Sequence, residues 1–316
     1  MNRKISLATG AIAASVLALS GLTVANAQTS TSTAARGTAA VRVAGESATA
    51  RHEKQQVLAL LAAYASGDQG AFNVINPKKF IQHDPAVADG LAGLKAWLAA
   101  APAGSIVVHP VRVLVDGAYV FVHSETDLPT GKTTSWDIFR FEQGKIVEHW
   151  DSRQPLEPAN GAGHTELDGP TQATDLGATA ATKRLAWTAM TDFLIDGDVS
   201  VYGEPMWNAD GYIQHSEGTT SDGIAGSKPI LTQWIEDGTL VYNKIEKVLG
   251  EGDFALVISQ GSFAATPYSY YDFFRMADGQ IIEHWDILQP LTPIADAKNT
   301  NTQFDFPQDE PAVDRY

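Results

Sequence analysis

The chain contains no cysteine. That excludes disulfides, zinc–thiolate sites and a lipid anchor attached through cysteine. Positive charge is scarce: 22 Lys and Arg stand against 37 Asp and Glu, a formal charge of -15. Nucleic acids and anionic membrane surfaces attract basic patches, so neither is an expected partner. Past the first 24 residues no apolar run is long enough to span a bilayer. The sequence also lacks a Gly-x-Ser-x-Gly elbow, a phosphate-binding P-loop, a dinucleotide fingerprint and a His-Glu-x-x-His helix. Nothing calls for a nucleotide, a flavin or zinc, so no cofactor and no metal are expected. What remains is 316 residues, 44% of them apolar, enough for two domains with packed cores.

The N-terminus carries its own signal. Arg3 and Lys4 precede an apolar run from Ile5 to Val24, and Ala25-Asn26-Ala27 supplies a small-x-small cleavage site before Gln28. This is the layout of a secretory signal peptide over residues 1–27, and it implies a secreted or periplasmic protein. An uncleaved anchor is the alternative; Thr9, Gly10, Ser15, Ser20 and Gly21 interrupt its run. Residues 28–50, rich in Thr, Ser and Ala, read as a flexible leader.

One phrase occurs twice. Asp137-Ile138-Phe139-Arg140-Phe141, a Glu142-Gln143-Gly144 turn, Lys145-Ile146-Val147-Glu148-His149-Trp150-Asp151 and Gln154-Pro155-Leu156 come first. They return as Asp272-Phe273-Phe274-Arg275, Ala277-Asp278-Gly279, Gln280-Ile281-Ile282-Glu283-His284-Trp285-Asp286 and Gln289-Pro290-Leu291, 135 residues later. A period of that size duplicates a whole small domain. The expected units are 51–157 and 182–292, joined by an exposed linker over 158–181 and followed by a tail over 293–316 that either crosses back over a sheet or hangs free.

Each unit begins helical. Val57, Leu60, Leu61 and Tyr64 make one helical face, and Leu91, Leu94, Trp97 and Leu98 make another. The period then drops to two over Ile106–Val115, Tyr119–Thr126, Thr133–Phe141 and Lys145–Asp151. The second unit repeats this, with strands over Leu240–Leu249, Phe254–Phe263, Tyr268–Met276 and Gln280–Asp286. Helices followed by a meander give an α+β class. A curved sheet closed over by helices leaves one pocket per unit, and pockets of that kind bind small, largely hydrophobic molecules.

Alternation sorts the chemistry. Asp137 shares a strand face with Phe139 and Phe141, and a carboxylate among aromatics is costly unless it is partnered or works as an acid–base group. Both readings stand at this point. His123 and Glu125 share a face, and if that face is the concave one they sit beside Asp137; a metal reading of the pair lacks a third ligand. The second unit has Ile258 and Gln260 there. His83 and His215 close two Ile-Gln-His phrases, as carbonyl caps or as site residues. For His149 and Asp151 the hairpin register decides: either Glu148 meets Arg140 and the histidine packs, or His149 or Asp151 reaches the pocket rim.

Tyr/Phe-Ile-Gln-His, Asp-Gly-x-x-Gly, His123-Ser124-Glu125, Asp-x-Phe-Arg and the final Glu-His-Trp-Asp…Gln-Pro hairpin resemble the SnoaL-like branch of the NTF2-like superfamily, in two tandem copies. The resemblance implies a cone, a curved mixed sheet wrapped around helices, and cofactor-independent chemistry of the polyketide-cyclase kind, ring closure by intramolecular aldol condensation. It implies that Asp137 is the acid–base residue and His123 the histidine of the preceding strand. On this expectation His83 assists His123 in polarising a carbonyl, while Asp272 and His215 form a second, reduced site. It also implies that the two units pack sheet to sheet as an intramolecular pseudo-dimer, since family members are single units that dimerise. The same resemblance accommodates a non-catalytic binding or scaffold module.

Overall fold

A computed structural model of the chain describes residues 45–203 and 205–307. The expected signal peptide, most of the leader and residues 308–316 lie outside the described residues.

The first helix, α1 (Ala48–Ser66), starts inside the stretch expected to be leader. Ser47 accepts a hydrogen bond from the Ala50 N–H as its N-cap, and Gly67 ends it in the left-handed conformation, φ 71°. Strand β1 (Ile81–Gln82) and helix α2 (Gly90–Ala100) follow, then β2 (Val107–Asp116), β3 (Tyr119–Leu128), β4 (Gly131–Glu142) and β5 (Lys145–Pro155). The second half repeats them: α3 (Thr179–Met190), β6 (Ile213–Gln214), α4 (Lys228–Glu236), β7 (Leu240–Glu251), β8 (Phe254–Phe263), β9 (Thr266–Ala277) and β10 (Gln280–Pro290). Each half is a five-stranded sheet, in the orders β1-β5-β4-β3-β2 and β6-β10-β9-β8-β7. Four strands form the expected antiparallel meander. The fifth, a two-residue strand paired in parallel, makes each sheet mixed.

The repeated Asp-Gly-x-x-Gly has a backbone explanation. Gly90 and Gly223 hold φ of 79° and 78° at the helix entrance. A Cβ on Gly93 or Gly226 would lie 1.9 or 2.0 Å from the carbonyl oxygen of Ala88 or Ser221. Only a residue without a side chain fits there.

Helices cover one face of each sheet. Under α1 and α2 the core holds Leu60, Leu61, Val120, Val122 and Phe139; under α3 it holds Met190, Phe193, Val257, Tyr270 and Phe274. The other faces of the two sheets share a third core: Trp136, Ile138 and Trp150 cluster with Phe254, Phe273 and Trp285. The ring centroids of Trp136 and Phe273 are 4.7 Å apart. Hydrogen bonds between the sheets repeat with the partners exchanged. The Val115 N–H donates to Glu251 Oε2 while the Gly250 N–H donates to Asp116 Oδ2. The Arg153 N–H donates to Gln289 Oε1 while the Leu288 N–H donates to Gln154 Oε1. These reciprocal bonds give the glutamine of the Gln-Pro signature its job.

The segments after each meander are exchanged as well. Thr165, which follows the first sheet, offers its carbonyl to His215 of the second, and Thr302, which follows the second sheet, offers its carbonyl to His83 of the first. Phe306 stacks on Trp150 at 4.5 Å. The tail, as far as residue 307, therefore crosses back. The stretch expected to be an exposed linker is anchored too: Glu166 is buried, and the Asp168 carbonyl accepts hydrogen bonds from Trp285 Nε1 and from Arg112. Among the described residues no helix is long and apolar enough to cross a membrane.

Candidate functional site

Register fixes which side chains reach the helix-covered face. Asp137 pairs with Val122 and with Asp151, and Phe139 pairs with His149. A one-residue irregularity between Arg140 and Phe141, with Val147 as the extra residue on β5, sets this parity. It lets Glu148 meet Arg140 on one face (Oε2–Nε 2.6 Å) while His149 and Asp151 face the helices. The two alternatives left open by the sequence are thus both realised. β10 repeats the irregularity at Ile282.

The histidine beside each aspartate is the one in the Glu-His-Trp-Asp phrase. His149 Nε2 lies 3.1 Å from Asp137 Oδ1, and its Nδ1 lies 2.9 Å from Gln82 Oε1. His284 Nε2 lies 3.2 Å from Asp272 Oδ1, and its Nδ1 lies 2.8 Å from Gln214 Oε1. Gln214 cannot be turned around, because Oε1 also accepts from the Ser216 N–H. Nδ1 of His284 therefore carries a hydrogen. Nε2 and the aspartate oxygen would face each other as two acceptors unless one proton lies between them. Tyr242 adds a hydroxyl 3.2 Å from Asp272 Oδ2. Burial, and then the charge of Asp272, push the Tyr242 hydroxyl well up, so it stays a donor. Burial also raises the Asp272 carboxyl above its usual range, against the opposing pull of His284. In the first pair, burial works against a charged His149, and the hydrogen bond and charge of Asp137 more than offset it, so that imidazole is raised.

The remaining expected site residues lie elsewhere. His123 pairs with Trp136 in the register, one residue out of phase with Asp137, and so stands on the opposite face. Arg112 Nη1 donates to His123 Nδ1 at 2.8 Å, which leaves Nε2–H to donate to Thr134 Oγ1 at 3.0 Å. Burial, then the Arg112 charge, hold this imidazole well below its ordinary pKa, and it stays neutral. Glu125 pairs with Lys132 at the surface. His83 stacks on Trp150 at 4.4 Å and reaches Glu148, and His215 stacks on Trp285 at 4.5 Å and reaches Glu283. The expectation that His123, His83 or His215 converges on an aspartate is corrected: all three lie on the faces shared between the sheets.

The two pockets differ most in what fills them. The first, around Asp137 and His149, has a volume of about 40 Å³. That is room for a few waters at ~15 Å³ each. Arg153 occupies it, with Nη2 on Asp84 Oδ2 at 2.7 Å and on Asp151. Burial raises the Asp151 carboxyl to about 7, with Arg153 opposing. The second pocket, around Asp272 and His284, has about 540 Å³, well within the range of ~300–1,000 Å³ for small-molecule sites. Leu288 stands where Arg153 does, and Ser216 where Asp84 does. The helix helps to open it: α3 ends in a π-helical turn, Thr191–Ile195, that carries Phe193 and Leu194 into the wall. Tyr202, Trp207, Tyr212, Tyr242 and Trp234 also line it. The second site, expected to be the reduced one, is the open one.

Asp272, His284 and Asp286 present ligand atoms within 4.8 Å of one another, so a metal could be held there as well as a proton. Glu166, next to this wall, has Oε2 without a partner, and burial, then the Asp286 charge, raise its carboxyl to about 8.

Residues 57–149 match the family model of the SnoaL-like domain. The match covers most of the first unit, and each of the two five-stranded mixed sheets with its helices has the same α+β architecture. Among solved structures the chain is similar to TsrD from Streptomyces laurentii, at 20% identity over 35% of this chain and 92% of that one, TM-score 0.29. It is similar to a candidate polyketide cyclase of Sinorhizobium meliloti, at 24% identity over 30% and 91%, TM-score 0.27. An NTF2-like protein of unknown function from Burkholderia xenovorans is 17% identical over 36% and 91%, TM-score 0.31. No curated protein matches the chain.

Proposed function

We propose that the second unit binds a small carbonyl compound in its cavity and performs cofactor-independent acid–base chemistry on it, of the aldol, cyclase or isomerase type. The observation that carries this reading is the coincidence of a cavity of about 540 Å³ with a buried Asp–His pair that shares one proton. With that proton on His284, Asp272 is the base. Its Oδ2, bonded among the described residues only by Tyr242, takes a proton from the carbon next to the carbonyl. The C–H bond breaks, an O–H bond forms, and the electron pair delocalises onto the carbonyl oxygen as an enolate. The enolate recovers the proton, or its carbon attacks a second carbonyl, whose oxygen becomes an alkoxide and takes the proton back from Asp272.

The first unit, with Arg153 in its pocket, is the buttress of an intramolecular pseudo-dimer. The reciprocal hydrogen bonds and the shared core support that arrangement. A second reading, a binding module without catalysis, is favoured by one fact: the Asp137–His149 pair persists where no substrate fits.

Proton–deuterium exchange, followed by NMR on a panel of aryl ketones and 1,3-dicarbonyls, separates the readings. The protein should speed exchange, Asp272→Asn should lower the rate by about 10²–10⁴, and Asp137→Asn should leave it within about twofold, as for a group outside the reacting site. Sensitivity to Asp137→Asn in place of Asp272→Asn would remove the proposal; uptake of ligand with no exchange would leave the binding module.

We further propose export, from the Arg3-Lys4, apolar-run and Ala25-Asn26-Ala27 leader. N-terminal sequencing of the protein made by its own cells should begin at Gln28; recovery of intact Met1 would sink this.

A further inference from the structure

We infer that the ligand of the second cavity carries a positively charged nitrogen, an amine or a guanidinium, which sits against Asp286 where the first unit holds its own Arg153 against Asp151. This rests on the cavity being a ligand site, as proposed above, and adds the charge of what enters it.

The comparison between the two halves carries the argument. Each pocket presents the same three side chains: Asp137, His149 and Asp151 in the first, Asp272, His284 and Asp286 in the second. In the first, the chain supplies a cation, with Arg153 Nη2 reaching both Asp151 and Asp84. In the second, Leu288 and Ser216 replace Arg153 and Asp84, so the cation is gone and the aspartate equivalent to Asp151 remains. The Asp286 carboxylate forms no hydrogen bond or ion pair among the described residues, and no Lys or Arg lines the cavity. Its wall carries Asp272, Asp286, Glu157 and Glu217 instead. Four carboxylates against one protonated imidazole, that of His284, leave the low-dielectric hollow net negative, and it attracts a cation. Tyr202, Trp207, Tyr242, Phe263 and Tyr268 line the same hollow, and aromatic faces attract a cation through the ring quadrupole. A carboxylate ligand would meet four acids. A neutral one would leave Asp286 desolvated and unpaired, which costs binding energy.

Titration calorimetry with three probes of nearly equal shape tests this: benzylguanidinium, 2-phenylethanol and 3-phenylpropionate, each with EDTA present. The guanidinium probe should bind at least about tenfold more tightly than the alcohol, and the carboxylate should not bind. Asp286→Asn should reduce the guanidinium affinity to that of the alcohol and leave the alcohol unchanged. Leu288→Arg, which rebuilds the first unit's internal cation, should abolish guanidinium binding while the protein keeps its unfolding temperature. Equal affinity for cation and alcohol would overturn the cation assignment and leave the cavity reading intact. Failure of all three probes at millimolar concentration would overturn both. So would saturable binding of Zn²⁺ or Mg²⁺, titrated alone without EDTA, with no response to benzylguanidinium, since Asp272, His284 and Asp286 would then serve a metal.

Discussion

Replacing Arg153 by leucine is expected to cost about 3–5 kcal/mol of stability, measured by urea unfolding at pH 8. The substitution copies the residue found at the matching place in the second unit, so the shape is one the fold accepts. The cost comes from charge. Asp84 and Asp151, both under a tenth exposed, lose the guanidinium that holds them as a pair. The two carboxyls then stay buried side by side with no cation between them. Folding is already coupled to pH here, because burial lifts the Asp151 carboxyl from the ordinary 3.8 to about 7. Between those values the folded protein keeps a proton that the unfolded chain has released. Stability from this group is therefore greatest in acid and is lost as pH rises toward 7. Removing Arg153 raises the carboxyl further, so the penalty should be smaller at pH 5 than at pH 8. Adding Asp84→Ser to Arg153→Leu should recover part of the loss and enlarge the first pocket toward the volume of the second. A single variant as stable as the parent at pH 8 would mean that Arg153 is a bystander.

Trp285→Ala should be comparably costly, about 3–5 kcal/mol, but should act on both halves at once. The indole is 1% exposed, stacks on His215 and donates to the Asp168 carbonyl. It also lies 4.4 Å from the guanidinium of Arg112, which belongs to the first sheet and is itself fully buried. Burial pulls Arg112 down to about 10, so it has little stabilisation to spare. Loss of the ring leaves that guanidinium facing a hole. Scanning calorimetry should show one transition before and after the change, with calorimetric and van't Hoff enthalpies equal. Two separated transitions in the variant, with the first unit's unmoved, would show that the sheets do not fold as one body.

Much of this was legible in the chain. The repeated hairpin phrase marks the duplication, the period-two stretches mark eight of the ten strands, and Asp137 beside Phe139 and Phe141 marks the helix-covered face. The short strands β1 and β6 escaped because two residues carry no periodicity. Alternation alone does not place His149 and His284, because the extra residues Val147 and Ile282 shift parity in the middle of a hairpin. His123 went to the wrong face for a related reason: its partner in β4 is Trp136, and only cross-strand register reveals that. The difference between the pockets is also written in the sequence. Set one copy on the other, Arg153 becomes Leu288 and Asp84 becomes Ser216, an ion pair deleted from both ends together.

Arg153 also bears on why two copies are tied into one chain. In a symmetric pair of identical subunits a mutation that stoppers one hollow stoppers the other, and activity is lost along with the space. A tandem protein escapes that constraint. One copy can trade its chamber for rigidity while its twin is released to specialise, and the partnership cannot dissociate on dilution.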